Sequence, residues 1–142
     1  MKIRKAQAKD LKKISEIFLI EYSKKPYFEK WTKTTSLKKI KEYNKTMYTF
    51  VAEENKEIMG FLIGDLYFWH DGHRGSVEEF VVSKKYQGQG IGKKLMKHFE
   101  NFLKKKGMKK LVLMSVTKSN AFKIYKKWGF KEEDFVSMVK KL

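Results

Sequence analysis

Cysteine is missing from this chain, and proline occurs only once, at Pro26. The first absence removes disulfides, thiolate metal sites and cysteine nucleophiles together, and it suits a reducing compartment such as the cytoplasm. Acidic residues are scarce: 16 Asp and Glu stand against 33 Lys and Arg, for a formal net charge of +17. No apolar run approaches the length that crosses a bilayer. Met1-Lys2-Ile3-Arg4-Lys5-Ala6 is basic without an apolar stretch behind it, so no secretory leader is expected. Repeats, low-complexity tracts and linkers are also lacking, and residues 1–142 are read as one domain.

What is present is globular: 42% hydrophobic and 15% aromatic residues, enough to bury a core. The positive charge raises the local concentration of anions, whether nucleic acid, acidic protein or a phosphorylated small molecule, but does not choose among them. Lysine supplies most of it, scattered along the chain in only short clusters such as Lys104-Lys105-Lys106, as on a solvated face.

Ile3 to Ala6 reads as a short strand. Leu11, Ile14, Ile17, Phe18 and Tyr22 recur at helical spacing, with Asp10 at the start. Ser23 to Thr35 reads as loop, and a weaker helix follows from about Ser36 to Tyr43. Two β-rich runs, Met47 to Glu53 and Ile58 to His70, are joined by a turn at Glu54-Asn55. Asp71-Gly72 signals a two-residue hairpin turn into a strand over Ser76 to Val82. From Gly90 the pattern is helical, with Ile91, Leu95, Phe99, Phe102 and Leu103 on one face and Gly107 as terminator. Leu111 to Val116 is a buried-type strand, Asn120 to Trp128 a short helix, and Phe130 to Val139 a final strand or pair. The order is mixed α/β, antiparallel strands first and a β-α-β-α-β tail.

The sharpest signal is Tyr86-Gln87-Gly88-Gln89-Gly90-Ile91-Gly92-Lys93-Lys94, between a strand and a strong helix. Glycines there let backbone approach a ligand, and the first amides of a helix are unpaired donors suited to phosphate. A Walker loop does not fit, because only three residues separate Gly88 from Gly92 and Lys94 stands where Ser or Thr is needed. The dinucleotide fingerprint fails as well, because Lys93 occupies its third glycine position.

What fits is Gln/Arg-x-x-Gly-x-Gly/Ala, here Gln87, Gly90 and Gly92. With it the chain resembles the GCN5-related N-acetyltransferase (GNAT) family. Ile3-Arg4-Lys5-Ala6 before the Asp10 helix resembles that family's first strand and helix, and Val77-Glu78-Glu79-Phe80-Val81-Val82 its fourth strand. Asn120, Tyr125 and Trp128-Gly129-Phe130 are similar to its Asn…Tyr…Gly-Phe signature. The resemblance implies a mostly antiparallel twisted sheet of six to seven strands flanked by about four helices, with strands 4 and 5 parallel and splayed. It implies acetyl-CoA as acyl donor and a primary amine as acceptor (a small amine, an amino acid, or a peptide or protein amine). Phe80, Val81 and Val82 would offer backbone hydrogen bonds to the pantetheine arm. Gln87, Gly88, Gln89, Gly90, Ile91, Gly92 and Lys93 would take the pyrophosphate, Asn120 would contact the arm, and Tyr125 would protonate the departing thiolate.

Each assignment has a structural alternative. Tyr125 shares a helical face with Ala121 and Trp128 and reads equally as core, Asn120 as a helix N-cap, and Trp128 and Phe130 as core. The acceptor poses the harder demand: an amine of pKa near 10.4 is neutral in only about one molecule in 2,500 at pH 7. An anionic base is therefore useful. Glu78 is the first choice and Glu79 the alternative. Turn geometry pairs His70 with His73, Asp65 with Glu78 and Gly64 with Glu79, so that opposed carboxylates would tune Glu78; a β-bulge would swap the faces. His70 and His73 flank an exposed turn and no metal site is expected. Tyr22, Tyr27, Phe28, Trp31, Tyr67 and Trp69 line the region through which the resemblance brings the acceptor. Two other classes stay open: an acetyl-CoA-binding sensor or scaffold without catalysis, and a basic nucleic-acid binder acting non-specifically. No membrane partner is expected, and the chain is read as a monomer or homodimer.

Overall fold

The computed structural model describes residues 1–142. Five strands and four helices follow in the order β1 (Lys2–Lys5), α1 (Leu11–Tyr22), α2 (Lys33–Thr46), β2 (Tyr48–Glu54), β3 (Glu57–Trp69), β4 (Gly72–Val82), α3 (Ile91–Lys105), β5 (Lys110–Leu113) and α4 (Asn120–Lys127). They form one sheet in the order β1-β2-β3-β4-β5, antiparallel until β5, which runs parallel to β4.

The sheet sorts its side chains to two sides because strand residues alternate. Val51, Phe61, Ile63 and Val81 pack under α1 and α2 with Ile14, Phe18 and Ile40. Phe50, Leu62 and Val77 pack on the other side with Leu95, Phe99 and Leu103 of α3 and with Tyr125 of α4. Buried Asp10 anchors β1 to α1 by taking both Arg4 Nη1 (2.7 Å) and Nη2 (3.1 Å), while Arg4 Nε reaches Glu53 on β2 (2.6 Å). Both C-terminal helices stop in the same manner. Gly107 and Gly129 turn left-handed, and the following amides, Met108 and Phe130, donate back to the carbonyls of Leu103 (3.0 Å) and Tyr125 (3.1 Å).

Several expectations shift. The sheet has five strands instead of six or seven, because Phe130 to Val139 forms no strand. After Phe130 caps α4, the charged run Lys131–Asp134 stays in solvent, and Phe135, Val136, Met138 and Val139 remain 83–94% exposed with no strand beside them. The second helix begins at Lys33, three residues early, because Thr32 caps it by accepting from the Thr35 amide (3.1 Å). The first hairpin turns at Asn55-Lys56, both with positive φ (50° and 64°). The second turns at His70-Asp71, with Trp69 opposite Gly72. Asp71, which belongs to both turns, accepts from Arg74 Nε (3.0 Å) and Nη2 (2.7 Å). The move of the turn displaces the whole β3–β4 register from the one expected.

Candidate active site

β4 is the strand that builds the site. Its pairing with β5 covers Arg74 to Val77 against Lys110 to Leu113 and then ends, while β4 continues to Val82. The two parallel strands therefore part at Glu78, leaving a gap flanked by Glu78–Val82 on one side and the chain after Leu113 on the other. Phe80, Val81 and Val82 lie along this freed edge, where their backbone groups have no β5 partner.

The parting coincides with an irregularity on the opposite edge. Ile63 pairs with Glu79 and Gly64 with Val77, so Glu78 is the extra residue of a β-bulge. This corrects the expected register: Asp65 faces Ser76, and no Asp65–Glu78 pair exists to tune Glu78. Exposed Glu78 instead accepts from the Ser76 hydroxyl (2.6 Å). The bulge also moves Val77 onto the face of Phe80 and Val82, over α3, and leaves Glu79 with Val81 towards α1 and α2.

Glu79 is the carboxylate the fold encloses. Tyr43, on the inner face of α2 one turn beyond Ile40, donates its phenol to Glu79 Oε1 (2.7 Å). Burial lifts the Glu79 carboxyl above the ordinary glutamate value, and the phenols of Tyr22 and Tyr43 pull it part of the way back. Burial, followed by the Glu79 charge, holds the Tyr22 proton well beyond its usual range; Tyr27 and Tyr125 add to this.

Tyr125, 8% exposed, enters from α4. Its ring packs against Phe130 (5.7 Å between centroids), Trp128 (6.0 Å) and Phe80 (6.3 Å). It is thus a core residue and a neighbour of the gap at once. Burial raises its phenol well above the free value, with Tyr27 contributing, so it is protonated throughout the neutral range. Asn120 is the exposed first residue of α4; the N-cap is buried Ser119, whose hydroxyl accepts from the Phe122 amide (3.1 Å).

Beyond Val82 the chain makes one short turn and reaches the glycine loop. Gln87 Nε2 donates to the Val82 carbonyl (2.8 Å), fastening the loop to the end of β4. Gly88 and Gly90 both adopt φ of 77°, a conformation that costs most residues about 1–2 kcal/mol. A Cβ on either glycine would meet nothing within 4 Å, so the space in front of them is open. Gly90 is the α3 N-cap and has no side chain to occupy the leading amides. Gly92 differs: a Cβ there would press on Phe80 at 3.3 Å, so this glycine lets α3 sit close to the sheet. Open space, free amides, a helix N-terminus and Lys93 together fit a diphosphate.

The remaining candidates divide between the surroundings of Glu79 and more distant parts of the fold. His70 and His73 sit at the exposed hairpin end, where His73 packs on Phe68. Of the aromatic residues expected on the acceptor path, Tyr22 and Tyr27 stack edge to face at 5.0 Å beside Glu79, and Trp31 packs on Phe18. Tyr67 and Trp69 belong to the hairpin, and Phe28 is exposed. Tyr43 was missed in the sequence, although its spacing from Ser36 and Ile40 marks the buried stripe of α2.

The family model for the acetyltransferase (GNAT) family matches residues 11–130. The chain belongs to the GNAT acetyltransferase family. Solved structures share the fold at low identity. A possible acetyltransferase from Clostridium difficile 630 superposes with a TM-score of 0.85 at 16% identity, covering 99% of this chain and 97% of the other. An aminoglycoside acetyltransferase from an uncultured soil metagenomic sample gives 0.76 at 23% identity, covering 99% and 95%. A ribosomal-protein-alanine N-acetyltransferase from Brucella melitensis biovar Abortus 2308 gives 0.77 at 16%, covering all of both chains. GNAT enzymes generally take their acyl group from acetyl-CoA.

Proposed function

We propose that this protein is an acetyl-CoA-dependent N-acetyltransferase that acetylates a primary amine by direct attack. The observation that carries the reading is the continuity of the open glycine loop, at the α3 N-terminus, with the gap where β4 leaves β5. When bound, acetyl-CoA supplies an activated acyl group with a thiolate leaving group.

The chain's own residues do the rest. Amides from Gly88 to Lys93 hold the diphosphate, and Gln87 keeps the loop at the end of β4. The freed backbone of Phe80, Val81 and Val82 aligns the pantetheine arm and polarises the thioester carbonyl; Asn120 borders the arm from α4. The amine nitrogen bonds to the carbonyl carbon as the C–S bond breaks. A carboxylate of the β4 bulge takes the amine proton, and the Tyr125 phenol gives its proton to the sulfur, to be restored from solvent. No covalent enzyme intermediate is needed.

The neighbours' acceptors, an aminoglycoside and a ribosomal-protein alanine, span small-molecule and protein amines. The test is thiol release from acetyl-CoA over a panel of aminoglycosides, amino acids, and peptides with a free N-terminus or lysine. Acceptor-dependent thiol release with mass gain of one acetyl group on nitrogen supports the reading. Tight acetyl-CoA binding with no transfer to any amine would instead favour a sensor.

A further inference from the structure

The bulge at Glu78 also decides where Phe80 points. Because Glu78 is the extra residue of β4, Val77 and Phe80 share the face over α3. Phe80 keeps its backbone on the edge that β5 has left, while its half-buried ring turns to the junction of α3 and α4. Two helices meet the ring there. On the α3 side, a Cβ on Gly92 would lie 3.3 Å from Phe80 and 3.8 Å from Trp128, so the first turn of the helix runs close to both rings. On the α4 side, Tyr125 and Trp128 each lie 6.3 Å from Phe80 between centroids.

Tyr125 is held at its backbone and at its ring. Its carbonyl accepts from the amides of Trp128 (3.0 Å) and Phe130 (3.1 Å), which fixes the end of α4. Burial and Tyr27 act on its phenol, and no hydrogen bond is among the influences on it, so packing sets its direction. Three rings supply that packing: Phe130, Trp128 and Phe80. The first two follow Tyr125 along the chain and travel with the end of α4. Of the three, only Phe80 belongs to β4, the strand that flanks the gap.

We propose that Phe80 is a positioning residue for Tyr125: its ring, backed by the first turn of α3 at Gly92, fixes where the phenol stands relative to the gap. This rests on the reading of Tyr125 as the proton donor to the departing thiolate. Phe80 has its main chain beside the donor arm of that reading and its ring against the helix that starts at the glycine loop. The seating of the diphosphate at α3 and the aim of the proton donor are thereby joined through one side chain. An aliphatic residue at this position keeps the main-chain groups and the apolar character, but removes the flat wall on the β4 side of the phenol. Proton donation is steep in position, since misplacing a reacting group by about 1 Å can cost on the order of a hundredfold. Binding of acetyl-CoA through backbone groups is not.

The experiment is a double-mutant cycle on the full chain, with acetyl-CoA and the best acceptor from a fixed panel of sisomicin, an alanine-initiated peptide and a lysine peptide. Phe80→Leu, Tyr125→Phe and the double variant are compared with Phe102→Leu, which removes a ring packed on Phe99 and Phe50, away from Tyr125. Each is read for kcat, acetyl-CoA affinity and Tm; Phe80→Met, closer in volume, carries the cycle if Phe80→Leu does not fold. Phe80→Leu is expected to lower kcat about tenfold with acetyl-CoA affinity little changed. Phe102→Leu is expected to lower Tm with kcat near that of the wild type. In the Tyr125→Phe background, Phe80→Leu is expected to add less than about twofold, because no proton is left to aim. Losses that multiply in the double variant overturn the proposal, as does full kcat in Phe80→Leu or an equal loss in Phe102→Leu; Tyr125 then remains the proton donor without Phe80 as its guide. Full turnover in Tyr125→Phe removes the proton donor and this proposal with it, while acetyl transfer stands. A wild-type chain that releases no thiol with any acceptor sinks the whole reading.

Discussion

At the scale of single residues, Gly90 and Tyr125 separate shape from chemistry. Gly90 has left-handed φ and open space where a side chain would project. Gly90→Val therefore strains the backbone by about 1–2 kcal/mol and fills the space proposed for phosphate. The expected outcome is a folded protein whose acetyl-CoA affinity drops at least tenfold, roughly the loss of 1.4 kcal/mol or more; calorimetry with unchanged affinity would remove the loop from the site. Tyr125 asks the opposite question. Its ring is fastened by Phe80, Trp128 and Phe130, so Tyr125→Phe keeps the packing and deletes only the proton donor. Turnover is expected to fall about a hundredfold with acetyl-CoA affinity and Tm little changed, a pattern assigned to interactions made only in the transition state. Equal turnover across the pH range would make Tyr125 a packing residue alone.

At the scale of elements, the site depends on how closely α3 approaches the sheet. A Cβ at Gly64 would run into the Phe99 ring and into the Ser76 carbonyl oxygen at 2.5 Å. Gly64→Ala is therefore expected to cost about 1–3 kcal/mol and to lower Tm by several degrees in a thermal melt. Gly88→Ala, with open space around it, should cost only its backbone strain; an unchanged Tm in Gly64→Ala would mean that close helix approach is not what Gly64 provides. The same elements show what a sequence can disclose. Helices α1, α3 and α4 were legible because Leu11, Ile14, Ile17 and Phe18, or Leu95, Phe99 and Leu103, repeat with the helix period and meet one partner surface. The turn ahead of α3 was legible because Gly88 and Gly90 take a left-handed φ that few other residues adopt readily. The bulge was harder, though a trace of it stands in Val77-Glu78-Glu79-Phe80. Strict alternation would send Val77 and Phe80 to opposite faces, yet both belong over α3, and the extra residue between them resolves the conflict. The role of Tyr43 lay beyond local pattern, because its partner is 36 residues away. The tail misled for a related reason: Phe135, Val136, Met138 and Val139 have strand-forming character, but strands exist only in pairs.

At the scale of the whole molecule, the charge of +17 acts on the two substrates with opposite sign. Acetyl-CoA carries several phosphate charges, and it approaches a helix start bearing Lys93 and Lys94 just after Lys84 and Lys85. An amine acceptor at neutral pH arrives as a cation and meets the same overall field as a repulsion, relieved only locally where Glu29, Glu78 and Glu79 gather near Tyr43. Salt separates these contributions, because the screening length falls from about 10 Å at 0.1 M to about 3 Å at 1 M. Long-range steering is lost over that range, whereas hydrogen bonds from the loop amides and to the β4 carboxylates act at contact and persist. Raising ionic strength from 0.05 to 0.5 M (roughly the range over which surface fields vanish) is expected to weaken acetyl-CoA binding several-fold, mainly through slower association. Over the same range kcat/KM for a cationic acceptor, measured with acetyl-CoA saturating at every salt concentration, is expected to hold or rise. Stopped-flow association and steady-state rates at five or so salt concentrations give both slopes. If the two fall together, the positive field is not partitioned between the substrates, and the carboxylates around Tyr43 govern the acceptor's approach from a distance as well as its capture.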